Sequence, residues 1–346
     1  MFDSFTSEKF KNREFCSLDN RNLVNLSQIP NLKKEKKIIL ISGPTGVGKS
    51  DFAEFLVAHM NGVIINGDMG QIYTPISIGT AKPENTNNCY LFNIMNQPLD
   101  LSAHTFRNMV IKSLNECWAA GKVPIIVGGS GFYIKSLFYS LASFSINEDE
   151  DKEIMVDFSK YSTEELYLKL ENIDSERAKS IHPNDRYRIE RALFLWKKTF
   201  YRPSDLEPKF EPLGSCFYYF LTRDRHELRN RIDERVGKML KAGWIYEVKQ
   251  LDYNWKTFLL KKKLIGYPEI IQYLEEKKSD LEDLTKIIGC KTAQYAKRQF
   301  TFWRSLKKQL IESDPYNKYI KDIQEFDLTN NFGYLRDIII KKINES

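Results

Sequence analysis

The sequence predicts a mixed α/β fold, a doubly wound parallel sheet interrupted by a helical insertion domain. Short apolar runs of strand length alternate with helical segments up to about Val127. From about Ile146 to Lys198 the sequence is instead charged and helical, without a strand signal. A length of 346 residues fits either two domains or one large domain with an insertion, and this change of pattern favours the insertion.

The predicted strands and helices follow from hydrophobic periodicity. Four apolar runs predict strands: Ile38–Ile41, Val63–Ile65, Val123–Val127 and Phe217–Leu221. Four stretches predict helices: the one carrying Phe52, Phe55, Leu56 and Met60 on one face, then Thr105–Ala120, Arg225–Leu251 and Leu281–Leu310. Parallel strands connected through helices bring the carboxyl ends of the strands to one edge, where open α/β sheets bind ligands.

Domain boundaries are placed where the composition changes. We expect a polar N-terminal extension over 1–36, an α/β catalytic core over 37–145 and 215–310, a helical insertion over 146–214 and a C-terminal tail over 311–346. The insertion ends in a connection rich in helix breakers: Pro203, Pro208, Pro212 and Gly214.

Several classes of protein are excluded by composition. No stretch reaches the roughly 18 apolar residues of a membrane span. Acidic residues interrupt the N-terminus where a secretory signal would be apolar: Asp3, Glu8 and Glu14. The five cysteines are scattered without metal-ligand spacing: Cys16, Cys89, Cys117, Cys216 and Cys290. We therefore expect a cytoplasmic protein without a disulfide framework or a zinc site.

The positive charge is concentrated in one part of the chain. The formal net charge is +6, and Leu221–Arg304 alone contains 19 Lys and Arg residues against 12 Asp and Glu residues. This surplus is either a solvated helix surface or a patch for an acidic partner such as nucleic acid.

A phosphate-binding motif follows the first predicted strand. Its residues are Gly43, Pro44, Thr45, Gly46, Val47, Gly48, Lys49 and Ser50, which satisfy G-x-x-x-x-G-K-[ST]. In such a P-loop, backbone N–H groups and the helix N-terminus surround phosphate oxygens, the lysine reaches the outer phosphates and the Ser50 hydroxyl can bind Mg²⁺. A strand leads in and a helix leads out, so we favour a P-loop NTPase-like core over an ordinary glycine turn.

The P-loop identifies a phosphate ligand and leaves the reaction open. The guanine-reading Asn-Lys-x-Asp motif is absent, and no apolar strand ends in the aspartate of a Walker B magnesium site. Asp68 follows the second predicted strand, where its carboxylate could act as a general base at the mouth of the P-loop. The alternative is a turn or helix-cap aspartate, since Asn-Gly-Asp is also common turn chemistry.

Seven motifs in order resemble the tRNA dimethylallyltransferase (tRNA isopentenyltransferase) family over roughly Ile38 to Arg304. They are the P-loop; Asp68–Tyr73 running on to Ile78–Pro83; Gly128–Tyr133; His182–Asp185; Arg188–Leu193; Arg231-Ile232-x-x-Arg235; and Gly266-Tyr267 together with Ala296–Gln299. The family typically has Asp-Ser-x-Gln-x-Tyr, Ile-Gly-Thr-Ala-Lys-Pro and Gly-Gly-Thr-Gly-Leu-Tyr at the second and third of these places.

The resemblance implies a reaction. A dimethylallyl group would pass from dimethylallyl diphosphate to N6 of adenosine-37 in tRNAs that read codons beginning with U, with Mg²⁺ as cofactor. It implies catalytic roles for Asp68 as the base, for Lys49 and Arg235 on the diphosphate, and for the Ser130 hydroxyl on substrate. Ser130 alone equally fits a strand-to-helix turn.

The resemblance also implies a tRNA-binding surface, on which the target adenine is extruded from its stack. The matched residues are Asp68, Met69, Gly70, Gln71, Ser130, Lys152, Tyr187, Arg188, Ile189, Glu190, Arg191, Lys263, Leu264, Ile265, Gly266, Tyr267, Pro268, Lys297, Arg298, Gln299, Phe300, Thr301, Phe302, Trp303 and Arg304. The aromatic residues at the end of this series would stack bases, although aromatics at helical spacing also suit a core. Three residues depart from the family pattern: Met69 and Gly70 replace the usual serine and its neighbour, and Pro268 stands where the family often has Arg or Lys.

Three alternatives stay open at this point. A P-loop kinase of a small metabolite or nucleoside explains Lys49 and Asp68 but leaves the basic C-terminal half unused. An inactive RNA-binding protein would be expected to lack one of these two residues. An enzyme that prenylates free adenine nucleotides would not need so extensive a basic surface.

Overall fold

A five-stranded parallel sheet forms the centre of the molecule, in a computed structural model that describes residues 36–140, 157–206, 208–276 and 280–329. Its strands are β1 (Lys37–Ser42), β2 (Gly62–Asn66), β3 (Val123–Gly128), β6 (Ser215–Thr222) and β7 (Ile320–Asp327), while β4 (Tyr139–Ser140) and β5 (Lys209–Phe210) form a separate antiparallel pair. The order across the sheet is β2-β3-β1-β6-β7. This confirms the predicted parallel α/β core.

Helices cover the sheet and form the insertion. They are α1 (Lys49–Met60), α2 (Ala103–Ala119), α3 (Gly131–Ser136), α4 (Thr163–Ile173), α5 (Ser175–Lys179), α6 (Arg186–Thr199), α7 (Arg225–Lys241), α8 (Trp244–Gln250), α9 (Tyr253–Lys262), α10 (Tyr267–Glu275) and α11 (Leu281–Ser313). Short 3-10 turns lie at Met69–Ile72 and Pro203–Leu206.

Both faces of the sheet are buried, as a doubly wound fold requires. Successive strand residues point to opposite faces, so Leu40 packs in the cluster that contains α2 and α8–α11, whereas Ile41 packs in the cluster that contains α1 and α7. Strand β1 pairs with β3 on one side and with β6 on the other. The loop that follows β1 therefore starts from the centre of the sheet.

The C-terminal part of the chain differs from the expectation. The segment 311–346, expected to be a tail, contains β7, which pairs in parallel with β6 and completes the sheet. Its sequence, IKDIQEFD, is too polar to predict a buried strand. An edge strand needs only part of its surface buried, and Ile320 and Phe326 supply that part.

The helix predicted over Arg225–Leu251 is two helices rather than one. The chain breaks between α7 and α8 at Gly243, whose φ of 101° lies in the left-handed region that favours glycine. The last helix continues beyond the predicted Leu310 to Ser313, where Asp314 follows as its C-cap. Its buried carboxylate accepts N–H bonds from Lys318, Tyr319 and Ile320, which start the edge strand.

Helices α4–α6 lie in the stretch predicted as a helical insertion and have a hydrophobic cluster of their own. Its buried members include Leu166, Leu170, Ala178, Ile189 and Leu193. The pair β4–β5 stands where the chain leaves and re-enters the core, with Tyr139 opposite Phe210. Among the described residues, no helix combines the length and the apolar character that crossing a bilayer requires.

A close packing contact around Trp244 gives a first testable prediction. A Cβ added to Gly266 would lie 1.9 Å from the Trp244 ring, and the Gly266 φ is 94°. We expect Gly266→Ala to lower the free energy of unfolding by about 2–5 kcal/mol, because backbone strain and overpacking add. Urea unfolding measures this change.

Two other glycines distinguish the effect of backbone strain from the effect of overpacking. Gly243 also has a positive φ, but no atom within 4 Å of an added Cβ, so Gly243→Ala should cost only about 1–2 kcal/mol. Gly237 lies in α7 with open space around it, and Gly237→Ala should stabilise by up to about 1 kcal/mol. Equal losses of unfolding free energy in Gly266→Ala and Gly243→Ala would show that overpacking against the Trp244 ring contributes nothing.

Candidate active site

A cleft of about 580 Å³ lies at the carboxyl ends of the central strands. It is lined by the P-loop, by residues 68–71, 79–81 and 262–265, by Ser130, and by side chains of α7 and α11. The predicted catalytic residues Lys49, Asp68, Ser130 and Arg235 all line it, which brings together four residues that are far apart in sequence.

Lys49 is held inside the P-loop. Its ammonium donates hydrogen bonds to the carbonyls of Gly43 (3.1 Å) and Pro44 (3.0 Å). Burial lowers the pKa of Lys49 to about 8; the negative charge of Asp68 raises this pKa and the positive charge of Arg235 lowers it further. The site therefore holds a lysine poised to lose its charge just above neutral pH, and an anion bound there would favour the charged form.

Two arginines hold other P-loop carbonyls. Arg231 Nε donates to Gly46 O (2.9 Å), and Arg223 Nε donates to Val47 O (2.8 Å). These bonds direct the two carbonyl oxygens toward protein donors. Without them, the oxygens would repel a bound phosphate. Arg223 belongs to no sequence motif, so its contact with the P-loop is not predictable from the sequence, and Arg231 is predicted only as part of the Arg235 motif.

Asp68 is positioned by its neighbours on β2. Buried Asn66 accepts the Asp68 N–H (2.8 Å) and donates to the Asp68 carbonyl (3.0 Å). The Asp68 carboxylate caps the short 3-10 turn by accepting the Gly70 N–H at 3.3 Å. Both interpretations of this aspartate thus have support: it caps a turn through one oxygen, and it is half-buried in the cleft.

Ser130 joins two walls of the cleft. Its hydroxyl oxygen accepts the Met69 N–H at 2.9 Å, next to Asp68. A side-chain hydrogen bond also links Ser130 to Tyr295 of α11, whose pKa is raised by burial and by the negative charge of Asp68. The hydroxyl is therefore part of the hydrogen-bond network that fixes the Asp68 loop.

Arg235 faces the P-loop from α7. Its guanidinium lies 3.5 Å from the Thr45 hydroxyl, and burial lowers its pKa while the negative charge of Asp68 raises it. Lys49 and Arg235 thus place two positive charges beside one carboxylate. This arrangement can bind an anion and, at the same place, accept a proton.

A half-buried carboxylate holds the loop that closes one side of the cleft. Glu247 accepts N–H bonds from Ser77 and Ile78, both at 2.8 Å, and the Tyr267 hydroxyl, also at 2.8 Å. Trp244 is packed between Gly79 and Gly266, where an added Cβ would collide with its ring. The motifs Ile78–Pro83 and Gly266-Tyr267 are therefore structural partners across the fold.

Part of the expected RNA surface is buried in the structure. Ile189, Gly266, Tyr267, Gln299 and Trp303 are buried and offer no side-chain surface to RNA. Ile189, for example, packs in the hydrophobic cluster of α4–α6. Gly70 is buried as well, beneath Thr80.

Gln299 and Trp303 make their contacts inside the protein. The Gln299 amide accepts the Thr45 N–H and donates to the Gly129 carbonyl, both at 2.9 Å, so it ties the P-loop to the loop before α3. Trp303 is stacked on Phe220 at 4.6 Å between ring centroids. Gln299 therefore faces the loops that follow β1 and β3, and Trp303 faces β6.

Other expected RNA residues lie at the surface. The exposed members are Tyr187, Arg188, Arg191, Lys263, Lys297, Arg298, Thr301 and Arg304. The half-buried members are Met69, Gln71, Glu190, Leu264, Ile265, Pro268, Phe300 and Phe302. Gln71 donates to the carbonyls of Thr80 and Ala81, and Glu190 pairs with Arg186 at 2.7 Å. Lys152 lies outside the described residues.

Comparison with known proteins gives consistent matches. A sequence model of the family described as IPP transferase matches residues 71–306. The chain is 36% identical over 279 residues to the tRNA dimethylallyltransferase of Alkaliphilus oremlandii, covering 78% of this chain and 89% of the relative. It is 32% identical over 294 residues to the tRNA dimethylallyltransferase of Thermotoga maritima, covering 84% of this chain and 95% of the relative.

Solved structures match in fold over most of the chain. A eukaryotic dimethylallyltransferase acting on tRNA superposes with a TM-score of 0.71 at 28% identity, covering 89% of this chain and 77% of that one. The full-length tRNA isopentenylpyrophosphate transferase of Bacillus halodurans gives a TM-score of 0.58 at 27% identity, covering 90% and 98%. These matches do not favour the kinase alternative.

Proposed function

The chain belongs to the tRNA dimethylallyltransferase (IPP transferase) family, and we propose that its cleft transfers a dimethylallyl group from dimethylallyl diphosphate to N6 of adenosine-37 in tRNAs reading codons that begin with U. Prenylation of tRNA follows from the family; the donor, the position in tRNA and the residues below are the proposal. The observation that carries it is the placement of Asp68 against Lys49 and Arg235 in one cleft.

The proposed reaction needs a base and an anion site at one place. An adenine N6 amine is a weak nucleophile, because its lone pair is delocalised into the ring. As the nitrogen forms its bond to the allylic carbon, Asp68 takes an N6 proton. The bond from that carbon to the diphosphate oxygen breaks, and its electron pair leaves with the diphosphate.

The growing charge on the diphosphate is stabilised by groups already in place. Lys49 and Arg235 supply two positive charges. The hydrogen bonds from Arg231 and Arg223 keep two P-loop carbonyl oxygens turned away from the diphosphate. Because these groups are held by the fold before substrate arrives, they need little rearrangement during the reaction.

The site fits Mg²⁺ as the family-implied cofactor. The exposed Ser50 side chain stands beside Lys49 at the start of α1, the P-loop position suited to a magnesium ligand. Within the described ranges, no group of three His, Cys, Asp or Glu side chains could hold a metal alone. Ser50 would therefore share the ion with diphosphate oxygens and water, as Mg²⁺ prefers, and the ion would neutralise diphosphate charge.

Mass spectrometry tests the proposal directly. Incubating the protein with tRNA, dimethylallyl diphosphate and Mg²⁺, followed by nucleoside analysis, should give N6-isopentenyladenosine and diphosphate. A second incubation with labelled ATP and nucleosides tests the kinase alternative. Phosphoryl transfer without prenylated adenosine would overturn the proposal. Modification of free AMP at the same rate as tRNA would redirect it to free nucleotides.

The pKa of Lys49 predicts the pH dependence of donor binding. With a pKa lowered to about 8, the ammonium loses its proton as the pH rises through that value, and the cradle loses a positive charge. We expect the KM for dimethylallyl diphosphate to rise above about pH 8, approaching tenfold per pH unit if only the charged lysine binds. Steady-state kinetics over about pH 6.5 to 9.5 measure this.

Lys49→Arg is the matched control for that profile. A guanidinium keeps its proton throughout this range, so the variant should show a flat KM even if its absolute activity is lower. A variant profile that still rises near pH 8 would assign the titration to another group, such as Lys82, whose pKa burial also lowers to about 8.

Exposed cations on α11 should bind the RNA backbone. Arg298 is exposed at the rim of the cleft, with its guanidinium 5.7 Å from the centroid of the Tyr295 ring. We expect Arg298→Ala to weaken tRNA binding and to reduce the slope of log Kd against log salt by about one. Lys308→Ala is the control, since Lys308 lies on the same helix and pairs with Glu312. Equal slopes in both variants would remove Arg298 from the phosphate contacts.

A further inference from the structure

We propose that Phe132 is a stacking platform for an unpaired RNA base next to the extruded adenosine, a role that rests on the proposed action on tRNA. Its side chain is 71% exposed at the start of α3, two residues after Ser130. Two residues of chain span at most about 7 Å. Ser130 lines the cleft that would receive the target base, so the backbone of Phe132 lies within about 7 Å of the cleft wall.

The ring is held in place although it is exposed. Phe132 contacts Phe302 of α11 edge to face, with ring centroids 5.6 Å apart. This contact depends on Gly131, because a Cβ there would lie 2.6 Å from the Phe302 ring. Tyr133 and Ile134, the next residues of α3, are buried and anchor the helix. The platform is thus preorganised and loses little freedom on binding.

The surroundings suit a nucleic acid. Arg298 lies one helical turn before Phe302 on α11, so their side chains share a face. Lys297 and Arg304 are exposed on the same helix. An aromatic ring beside cations is the pattern that binds unpaired bases, where the ring stacks and the cations contact the backbone. A stable protein interface needs a much broader apolar core than one ring.

Base extrusion explains why such a platform would be useful. When one base leaves the stack, its neighbours lose a stacking partner, and an aromatic side chain can replace it. Phe132 is close enough to Ser130 to do this while the adenine occupies the cleft. Trp303, another aromatic residue of the expected RNA surface, is buried in the core, so its ring is not available to stack on a base.

The test compares Phe132→Ala, Phe132→Leu and Phe132→Trp. The substrate is an anticodon stem-loop RNA, with 2-aminopurine beside the target adenosine as a second readout. We expect the KM for RNA to rise about five- to tenfold in the alanine and leucine variants, from the usual size of one stacking contact. The tryptophan variant should retain the KM of the parent protein. The KM for dimethylallyl diphosphate should stay within about twofold in all three.

The fluorescence and a control variant make the result specific. Binding should quench 2-aminopurine in the parent and tryptophan proteins, and much less in the alanine and leucine proteins. Tyr246→Ala removes another exposed ring, 67% exposed on α8, and should change neither readout. Melting temperatures equal to that of the parent protein would show that the variants fold.

Three results would overturn the inference. The first is parent-like KM and quenching in Phe132→Ala, and the second is a loss in RNA binding that follows a lowered melting temperature. The third is concentration-dependent self-association abolished by Phe132→Ala with RNA binding unchanged, which would assign the ring to a second copy of the chain. If the parent protein itself prenylated no RNA, the proposed function would fail before Phe132 was tested.

Discussion

Replacing Asp68 with asparagine is expected to lower kcat for tRNA prenylation by about 10²–10⁴-fold, the usual contribution of a general base. Asparagine keeps the size of the side chain and an oxygen to accept the Gly70 N–H, so the turn at Met69–Ile72 should survive. Binding of tRNA should stay within a few-fold. Single-turnover measurement with saturating substrates isolates the chemical step.

The same variant should have a second signature. The negative charge of Asp68 raises the pKa of Lys49, so removing that charge should move the pH at which donor binding weakens to below about 8. Asp51→Asn is a suitable control, because Asp51 lines the cleft and its charge acts on Arg235. Normal turnover in Asp68→Asn would show that another group takes the proton.

Replacing Arg235 with alanine is expected to lower kcat by about 10²–10³-fold, as for the loss of one preorganised donor to a developing negative charge. The fold should tolerate the change, because within the described part of the chain the Arg235 side chain makes a single hydrogen bond, the long one to the Thr45 hydroxyl. Pre-steady-state kinetics with dimethylallyl diphosphate and tRNA would separate this loss from slower product release.

Arg229→Ala serves as the matched control for Arg235. Arg229 lies on the same helix but points away from the P-loop and pairs with Asp233 at 2.8 Å. Its removal should change kcat by no more than about twofold, as for an ordinary surface ion pair. A loss in both variants of similar size would indicate a general effect on α7 rather than contact between Arg235 and the diphosphate.

Local sequence patterns predicted the central fold because its strands are apolar and its P-loop is specific. The runs at Ile38–Ile41 and Val123–Val127 lie in the sheet as expected. The edge strand Ile320–Asp327 was missed, since alternating charges conceal a strand that has only one paired neighbour. Such strands are specified by tertiary pairing more than by their own composition.

Specific motifs predicted the four catalytic candidates. Which residues of α11 are exposed depends on how that helix packs, and the sequence predicts this less well. Lys49, Asp68, Ser130 and Arg235 do meet in one cleft. By contrast, a run of cations and aromatics on a helix does not reveal which residues face the sheet. Gln299 and Trp303 share a run with exposed Arg298, but their positions on α11 turn them inward.

The position of Arg223 makes the P-loop depend on the far end of the chain. One guanidinium donates to the Val47 carbonyl and, at 3.1 Å, to the Leu328 carbonyl just after β7. During synthesis, Gly43–Ser50 emerges long before Leu328, so this support for the loop arrives last. A ribosome-bound chain therefore carries the whole P-loop sequence without its complete support, and full preorganisation of the anion site waits for the edge strand to dock.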